Sequence, residues 1–278
     1  MTLPGPPAAR AAAARPGHRR AWYGAAALSA VLVVLPAAWQ ITAVGSTRSG
    51  VLSGGSAGRT VAAVEIEGGG SDVTVTPRGD GQVGYQARVT WSFKEPTVEE
   101  SWLGDTLRLT PHCAGEAIGV TGGLGCSIGL EVTVPAGILV RVSAGSGQVS
   151  VTGLDGPVDA DVGSGTLALS ALRGPLRARV GSGSLRATGL ATPQADIGAG
   201  SGQADAVFAT VPDRVSGRVG AGHLHLTLPE GARYRGDCRS GVGRCEVEDA
   251  LRDPASPRTL DLFAESGRAE ASRRPRTS

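Results

Sequence analysis

Residues 140–151 read VRVSAGSGQVSV, and the phrase at their centre, Gly145-Ser146-Gly147, is repeated along the chain. It recurs as Gly163-Ser164-Gly165, Gly181-Ser182-Gly183, Gly200-Ser201-Gly202 and Gly220-Ala221-Gly222, at steps of 18, 18, 19 and 20 residues. A fixed period of about 20 residues marks a repeat architecture, in which one unit cannot bury its apolar face without its neighbours. Around each phrase apolar and polar residues alternate. Five positions before the first glycine stand Val140, Val158, Leu176, Ala195 and Val215, and three before stand Val142, Ala160, Ala178, Ile197 and Gly217. The positions one before, four after and six after are also aliphatic or small throughout. Alternate side chains of a strand face opposite ways, so these columns are expected to point inward together.

The columns between them are polar. Four positions before the phrase stand Arg141, Asp159, Arg177 and Asp196, followed by Ser216. With coils stacked about 4.8 Å apart, these residues would form a ladder of alternating charge on an outer face. Exposed pairs of this kind stabilise by roughly 0–1 kcal/mol each. Their role is then to favour one stacking register over a slipped one, because like charges directly opposed are unfavourable. Glycine at the phrase is read as a corner residue, chosen for the backbone angles it accepts. The expected fold is all-β: a single-stranded parallel β-helix or β-solenoid with coils of about 18–20 residues, preceded by one N-terminal transmembrane helix.

Composition agrees with a thin, aliphatic interior. Glycine accounts for 43 of the 278 residues and aromatic residues for only 4%. The net charge of +2 conceals an asymmetry. Arg10, Arg15, Arg19, Arg20, Arg48 and Arg59 precede the first acidic residue, Glu65, and 27 basic residues less these six leaves 21 against 25 acidic ones. The repeat region therefore lacks the basic character of a nucleic-acid-binding domain.

Residues 1–20 read as a cytoplasmic tail. Residues 21–44 carry no charge, and 24 residues at about 1.5 Å each suffice to cross a hydrocarbon core of about 30 Å. Trp22, Tyr23 and Trp39 stand near the two ends of the run, where aromatic side chains favour the interface. Arg15, Arg19 and Arg20 precede it and predict a cytoplasmic N-terminus and an extracellular remainder. A cleaved signal peptide with its apolar core at 25–35 is the rival reading. Residues 45–59, GSTRSGVLSGGSAGR, read as a Gly/Ser linker. Residues 60–270 read as the extracytoplasmic β-solenoid, with longer, less regular coils at its start acting as a cap, and residues 271–278 as a frayed tail.

Four cysteines fall in two sequence-local pairs, Cys113 with Cys126 and Cys238 with Cys245. Outside the cell oxidised pairs are expected. Three connectivities are possible, and 113–126 with 238–245 is the preferred one.

Catalytic and cofactor motifs are absent from the repeat. GAGSG at 198–202 lacks the Gly-Lys-Ser/Thr of a phosphate loop. The repeated serines lack the glycine two places earlier that a nucleophile elbow requires. Asp159, Asp161, Asp196 and Asp205 could serve a polysaccharide-cleaving β-helix enzyme, although the arginines beside the first two suit solvated ion pairs. His223 with His225, and His112 with the nearby cysteines, offer too few ligands for a metal centre. No cofactor is expected.

The ordered set of motifs resembles the bacterial putative-adhesin family of β-strand-repeat proteins, common in Gram-positive bacteria. The resemblance rests on the repeated GSG phrases with an apolar residue before each, and on WSF at 91–93. It rests also on TLRLTPHC at 106–113 with CSIGLEVTVPAG at 126–137, and on LPEGARYRGDCRSGVG at 228–243. It covers about residues 60–270. Many members carry Asp directly after the phrase, where this chain has Gln148, Thr166, Ser184, Gln203 and His223. The resemblance implies a surface adhesion role and brings no catalytic residues. The expectation is thus a non-enzymatic, single-pass membrane protein presenting an interaction module to a cell-wall polymer or an envelope protein. A polysaccharide-active β-helix enzyme and an envelope-stress sensor or accessory protein are the alternatives.

Overall fold

The structure is a computed structural model that describes residues 47–92, 94–113 and 125–274. The expected tail and membrane span at 1–44, Phe93, the loop at 114–124 and the last four residues lie outside the described residues. Among the described residues no helix is long and apolar enough to cross a membrane.

Among the described residues the chain from Arg48 onward is all-β, apart from a 3-10 turn at Asp249–Leu251. Seven described strands precede the repeat: β1 (Arg48–Gly55), β2 (Ala63–Gly69), β3 (Asp72–Arg78), β4 (Gly84–Trp91), β5 (Thr97–Leu103), β6 (Thr106–His112) and β7 (Cys126–Pro135). The repeat itself supplies ten: β8 (Leu139–Ala144), β9 (Gln148–Thr152), β10 (Val158–Val162), β11 (Thr166–Ser170), β12 (Leu176–Val180), β13 (Ser184–Leu190), β14 (Gln194–Ala199), β15 (Gln203–Phe208), β16 (Arg214–Val219) and β17 (His223–Leu228). Four strands follow: β18 (Cys238–Ser240), β19 (Arg244–Val247), β20 (Thr259–Ala264) and β21 (Arg268–Arg273).

These strands form two mixed sheets, neither closed into a barrel. One runs β1-β4-β7-β3-β9-β11-β13-β15-β17-β21-β19, the other β18-β20-β16-β14-β12-β10-β8-β2-β6-β5. Through the repeat the chain alternates between them, crossing at each glycine phrase. All pairs within the repeat are parallel, with residues one period apart as Cα partners: Val142 with Ala160, Ala160 with Ala178, and Ala178 with Ile197.

The core lies between the two sheets. All five aliphatic columns are buried, from Val142, Ala160, Ala178 and Ile197 on one sheet to Val149, Leu167, Leu185, Ala204 and Leu224 on the other. Burying each Val or Leu stabilises by roughly 1.5–3 kcal/mol, and no coil has the interior for a larger side chain at every position. Gly217 shows the compensation: a Cβ there would fall 2.6 Å from methyl carbons of both Leu224 and Leu262. A further buried column, Leu154, Leu172, Leu190 and Phe208, forms the second corner of each coil, in GLDGP, ALRGP and GLATP. Each coil is therefore two strands and two corners.

At both ends the outermost parallel coil is an excursion of the chain. The β2–β3 coil stacks directly on β8–β9, while β6 and β7 lie beyond it. Strands β5, β4 and β1 then add antiparallel. At the other end β20 and β21, the last strands in sequence, insert between β16–β17 and β18–β19. Reading the chain strictly in order would have put them outermost.

Two expected boundaries are corrected. The segment expected as a Gly/Ser linker contains β1, paired along its whole length with β4 from Arg48↔Trp91 to Gly55↔Gly84. Its glycines are there for space: a Cβ on Gly50 would lie 3.2 Å from the Trp91 ring, and one on Gly54 only 2.2 Å from Glu100 Oε1. The expected C-terminal tail is ordered into β21 as far as Arg273, held by Glu248, which accepts hydrogen bonds from the Arg273 backbone at 2.8 Å and its guanidinium at 2.7 Å.

Candidate functional site

A face suited to recognition is the outer side of the sheet containing β8, β10, β12, β14 and β16. Strand alternation sends every second side chain there, and parallel register lines them up in rows. The main row runs Arg108, Glu65, Arg141, Asp159, Arg177, Asp196, Ser216, Asp261. It contains the four-residue ladder read from the repeat and adds an alternating pair at its start. A second row runs Glu67, Ser143, Asp161, Arg179, Gly198, Arg218, Phe263, Arg239. The pair Arg108–Glu65 escaped the periodic reading because these residues are 43 apart in sequence, outside the 18–20 step.

The ion pairs concentrate at two places. Arg108 reaches Glu65 at 2.9 Å and Glu67 at 3.5 Å. Hydrogen bonding to Glu65, then the charges of Glu65 and Glu67, raise the Arg108 guanidinium above its ordinary pKa. Asp196 receives Arg177 at 3.7 Å, Arg179 at 3.6 Å and a hydrogen bond donated by the Ser216 hydroxyl at 3.2 Å. Among the described residues Arg141, Arg214 and Arg218 have no ion-pair partner.

Charge is divided along this face. On β6, β2, β8 and β10 the outward acids Glu65, Glu67, Asp159 and Asp161 outnumber Arg108 and Arg141. On β12, β14, β16 and β20 the arginines 177, 179, 214 and 218 outnumber Asp196 and Asp261. Two shallow, open grooves follow the rows. One of about 410 Å³ is lined by Arg141, Asp159, Arg177, Asp196, Arg214 and Arg218, among others. The other, of about 310 Å³, is lined by Glu65, Arg141, Asp159, Asp161 and Arg179, among others.

The carboxylates considered for sugar cleavage are placed differently from one another. Asp159 and Asp161 are two apart on β10, and Asp196 lies two strands away, engaged by both Arg177 and Arg179. Asp205 faces outward on the opposite sheet, where the Gln203 amide donates to it at 2.8 Å. The four are therefore not gathered about one cleft. Asp159 and Asp161 both line the groove of about 310 Å³, and Asp159 and Asp196 the one of about 410 Å³, while Asp205 lies apart from both.

The histidines are also dispersed. His223 and His225 lie on the opposite sheet, His225 sharing a hydrogen bond with the Ser272 hydroxyl at 3.0 Å. His112 stands 3.5 Å from Glu99. Among the described residues no group of three or more His, Cys, Asp and Glu side chains is placed to hold a metal. Cys113 is joined to Cys126 and Cys238 to Cys245. Each bond bridges the corner of an outermost parallel coil, at the two ends of the stack.

The outer face of the opposite sheet is different in character. Between β3 and β13 it carries Thr74, Thr76, Ser150, Thr152, Thr166 and Ser170, with the Thr152 and Ser170 hydroxyls 2.9 Å apart across neighbouring strands.

No family model matches the chain, and no curated protein matches it. Solved structures similar to it include one described as a "putative cell adhesion protein" from Clostridium sporogenes. That protein is 10% identical, and the match covers 82% of this chain and 100% of that one with a TM-score of 0.38. A "putative adhesin" from Bacteroides fragilis is 11% identical over 81% of this chain and 97% of that one, with a TM-score of 0.36. A "putative lipid binding protein" from Parabacteroides distasonis is 12% identical over 82% and 97%, with a TM-score of 0.30.

Proposed function

We propose that this chain is a non-enzymatic, membrane-tethered interaction module: a parallel β-solenoid of two strands per coil, held outside the cell by the apolar segment at 21–44. The observation that carries the reading is the charged outer face. It crosses consecutive strands in continuous rows, it is open along its length, and its grooves are shallow. Such a surface suits extended contact with a polymer or a protein partner better than enclosure of a small substrate. The two disulfides suit an oxidising compartment, and the arginines before residue 21 suit a cytoplasmic N-terminus.

The test uses the full chain in lipid nanodiscs, sedimented with isolated cell-envelope material. Binding is expected, and it should weaken with Arg218→Glu on the charged face and persist with Arg186→Glu on the opposite sheet. Failure to sediment, or equal loss with both variants, would contradict an interaction role for this face. Hydrolysis of the envelope glycans by the purified chain, lost on Asp159→Asn, would replace it with the enzymatic reading.

A further inference from the structure

The basic half of the charged face has the form of a four-cornered cradle. Arg177 and Arg179 project from β12, and Arg214 and Arg218 from β16, two strands away. Strand spacing of about 4.8 Å sets the two pairs roughly 10 Å apart, and four residues of rise set Arg214 and Arg218 roughly 13 Å apart. Between them lies β14. Its outward residues are Gln194, Asp196 and Gly198. Asp196 is already engaged by Arg177, Arg179 and Ser216, so its charge is met from within the protein.

The floor of the cradle carries no side chain at Gly198. Gly198 stands in register between Arg179 and Arg218. The nearest atom to a Cβ placed there is Arg179 Cγ, at 3.5 Å. Arg214 and Arg218 lack an ion-pair partner among the described residues, and both line the groove of about 410 Å³. Phe263, 44% exposed, is the register neighbour of Arg218 and offers an apolar surface at the rim. Asp261, beside Ser216, is the one acidic group of this half with no basic partner among the described residues.

We infer that this cradle binds a linear anionic polymer whose repeating charge is a phosphodiester on a polyol backbone. The inference rests on the interaction reading above and names the ligand class of that face. A planar guanidinium matches two oxygens of one phosphate group. Two unpaired guanidiniums on β16, Arg214 and Arg218, set apart along the strand and faced across β14 by the Asp196-paired Arg177 and Arg179 of β12, match successive charges of a chain better than a single ion. An open, hydrated groove holds such a ligand by summed electrostatic contacts, and the carbon backbone of the repeating unit can pass over Gly198 and Phe263.

The experiment measures binding of the full chain in nanodiscs to synthetic poly(glycerol phosphate) at several salt concentrations. Binding is expected, with log K falling linearly in log salt at about 0.7 per phosphate neutralised, the value for single strands. Arg214→Ala and Arg218→Ala should each weaken it about tenfold, as loss of a charged hydrogen bond does. Gly198→Leu, which fills the floor and leaves every charge in place, should weaken it as well, and Arg186→Ala on the opposite sheet should not.

Equal binding by the Arg214, Arg218 and Gly198 variants would overturn the inference. Tighter binding of polygalacturonate would overturn the phosphodiester assignment. Tighter binding of oligothymidylate, lost on Phe263→Ala, would replace it with base stacking on the aromatic rim. Retained sedimentation with envelope material but no binding of poly(glycerol phosphate) would overturn this inference and leave the interaction role standing.

Discussion

Gly165 lies so close above Gly147 that a Cβ on Gly165 would fall 1.8 Å from the Gly147 carbonyl oxygen. The same approach recurs at Gly183 over Gly165, at 1.8 Å, and at Gly222 over Gly202, also at 1.8 Å. Of these closing glycines only Gly147 has a positive φ, at 96°. The corner therefore needs glycine chiefly because the preceding coil's backbone occupies the place of a side chain, and less for its backbone angles than the sequence alone suggests. Gly165→Ala is expected to force neighbouring coils apart and destabilise by about 1–3 kcal/mol, the range of an overpacked core. Gly79→Ala, with nothing within 4 Å, should stay within about 0.5 kcal/mol of the parent. Urea unfolding of both variants checks the contrast.

The inward columns and the stacking register were readable from residues alone, because a period-two pattern repeated at a fixed step determines both which way side chains point and what they lie over. Val142, Ala160, Ala178 and Ile197 needed nothing further. The ends were not readable in this way. Strand β1 hides in a glycine- and serine-rich stretch whose small residues make room for Trp91, Tyr85 and Glu100, and close packing of that kind has the same composition as a flexible linker. The insertion of β20 and β21 inside β18 and β19 follows from which strand edges meet, which no local pattern encodes. The second corner left a signal that could have been used: Leu154, Leu172 and Leu190 recur at 18 residues, each three places before a proline.

Arg141 and Asp159 are register partners, as are Asp159 and Arg177. Asp159→Arg would put three like charges in one row, and a loss of about 0.5–1 kcal/mol is expected. The loss should shrink at high salt, since all three groups are solvated. Urea midpoints at low and high salt measure both. A cost that is insensitive to salt would contradict the electrostatic account.

Cys238–Cys245 closes a span of 7 residues on a coil with a stacked neighbour on one side only. Replacing both cysteines by alanine should cost about 2 kcal/mol by the loop-closure estimate. In a stacked array the loss stays near its site. Amide exchange is therefore expected to quicken across 238–247 and to remain unchanged across β10 to β13. Uniform acceleration along the chain would contradict it.

Glu248 accepts hydrogen bonds from the backbone and side chain of Arg273, and these lower its pKa below the ordinary 4.5. A depressed carboxyl contributes stability that is present above its unfolded value and lost as pH falls through its folded value. The Arg273 amide shift, followed by NMR, should titrate with a midpoint below 4.5, and Glu248→Gln should abolish that titration. A midpoint at or above 4.5 would show that the contact does not hold in solution.

The account rests on coils stacked in register, with the last strands in sequence, β20 and β21, lying inside the preceding pair. Spin labels attached through a non-natural amino acid, which spares the disulfides, can be placed at Ser150 and, in separate chains, at Asp205, His225, Glu270 and Glu246. All five positions occupy one outward row. Double electron–electron resonance on the full chain should give distances that lengthen by about 4.8 Å per strand in the order Asp205, His225, Glu270, Glu246. Distances that fail to rise in even steps, or a Glu246 label nearer to Ser150 than the Glu270 label, would contradict it.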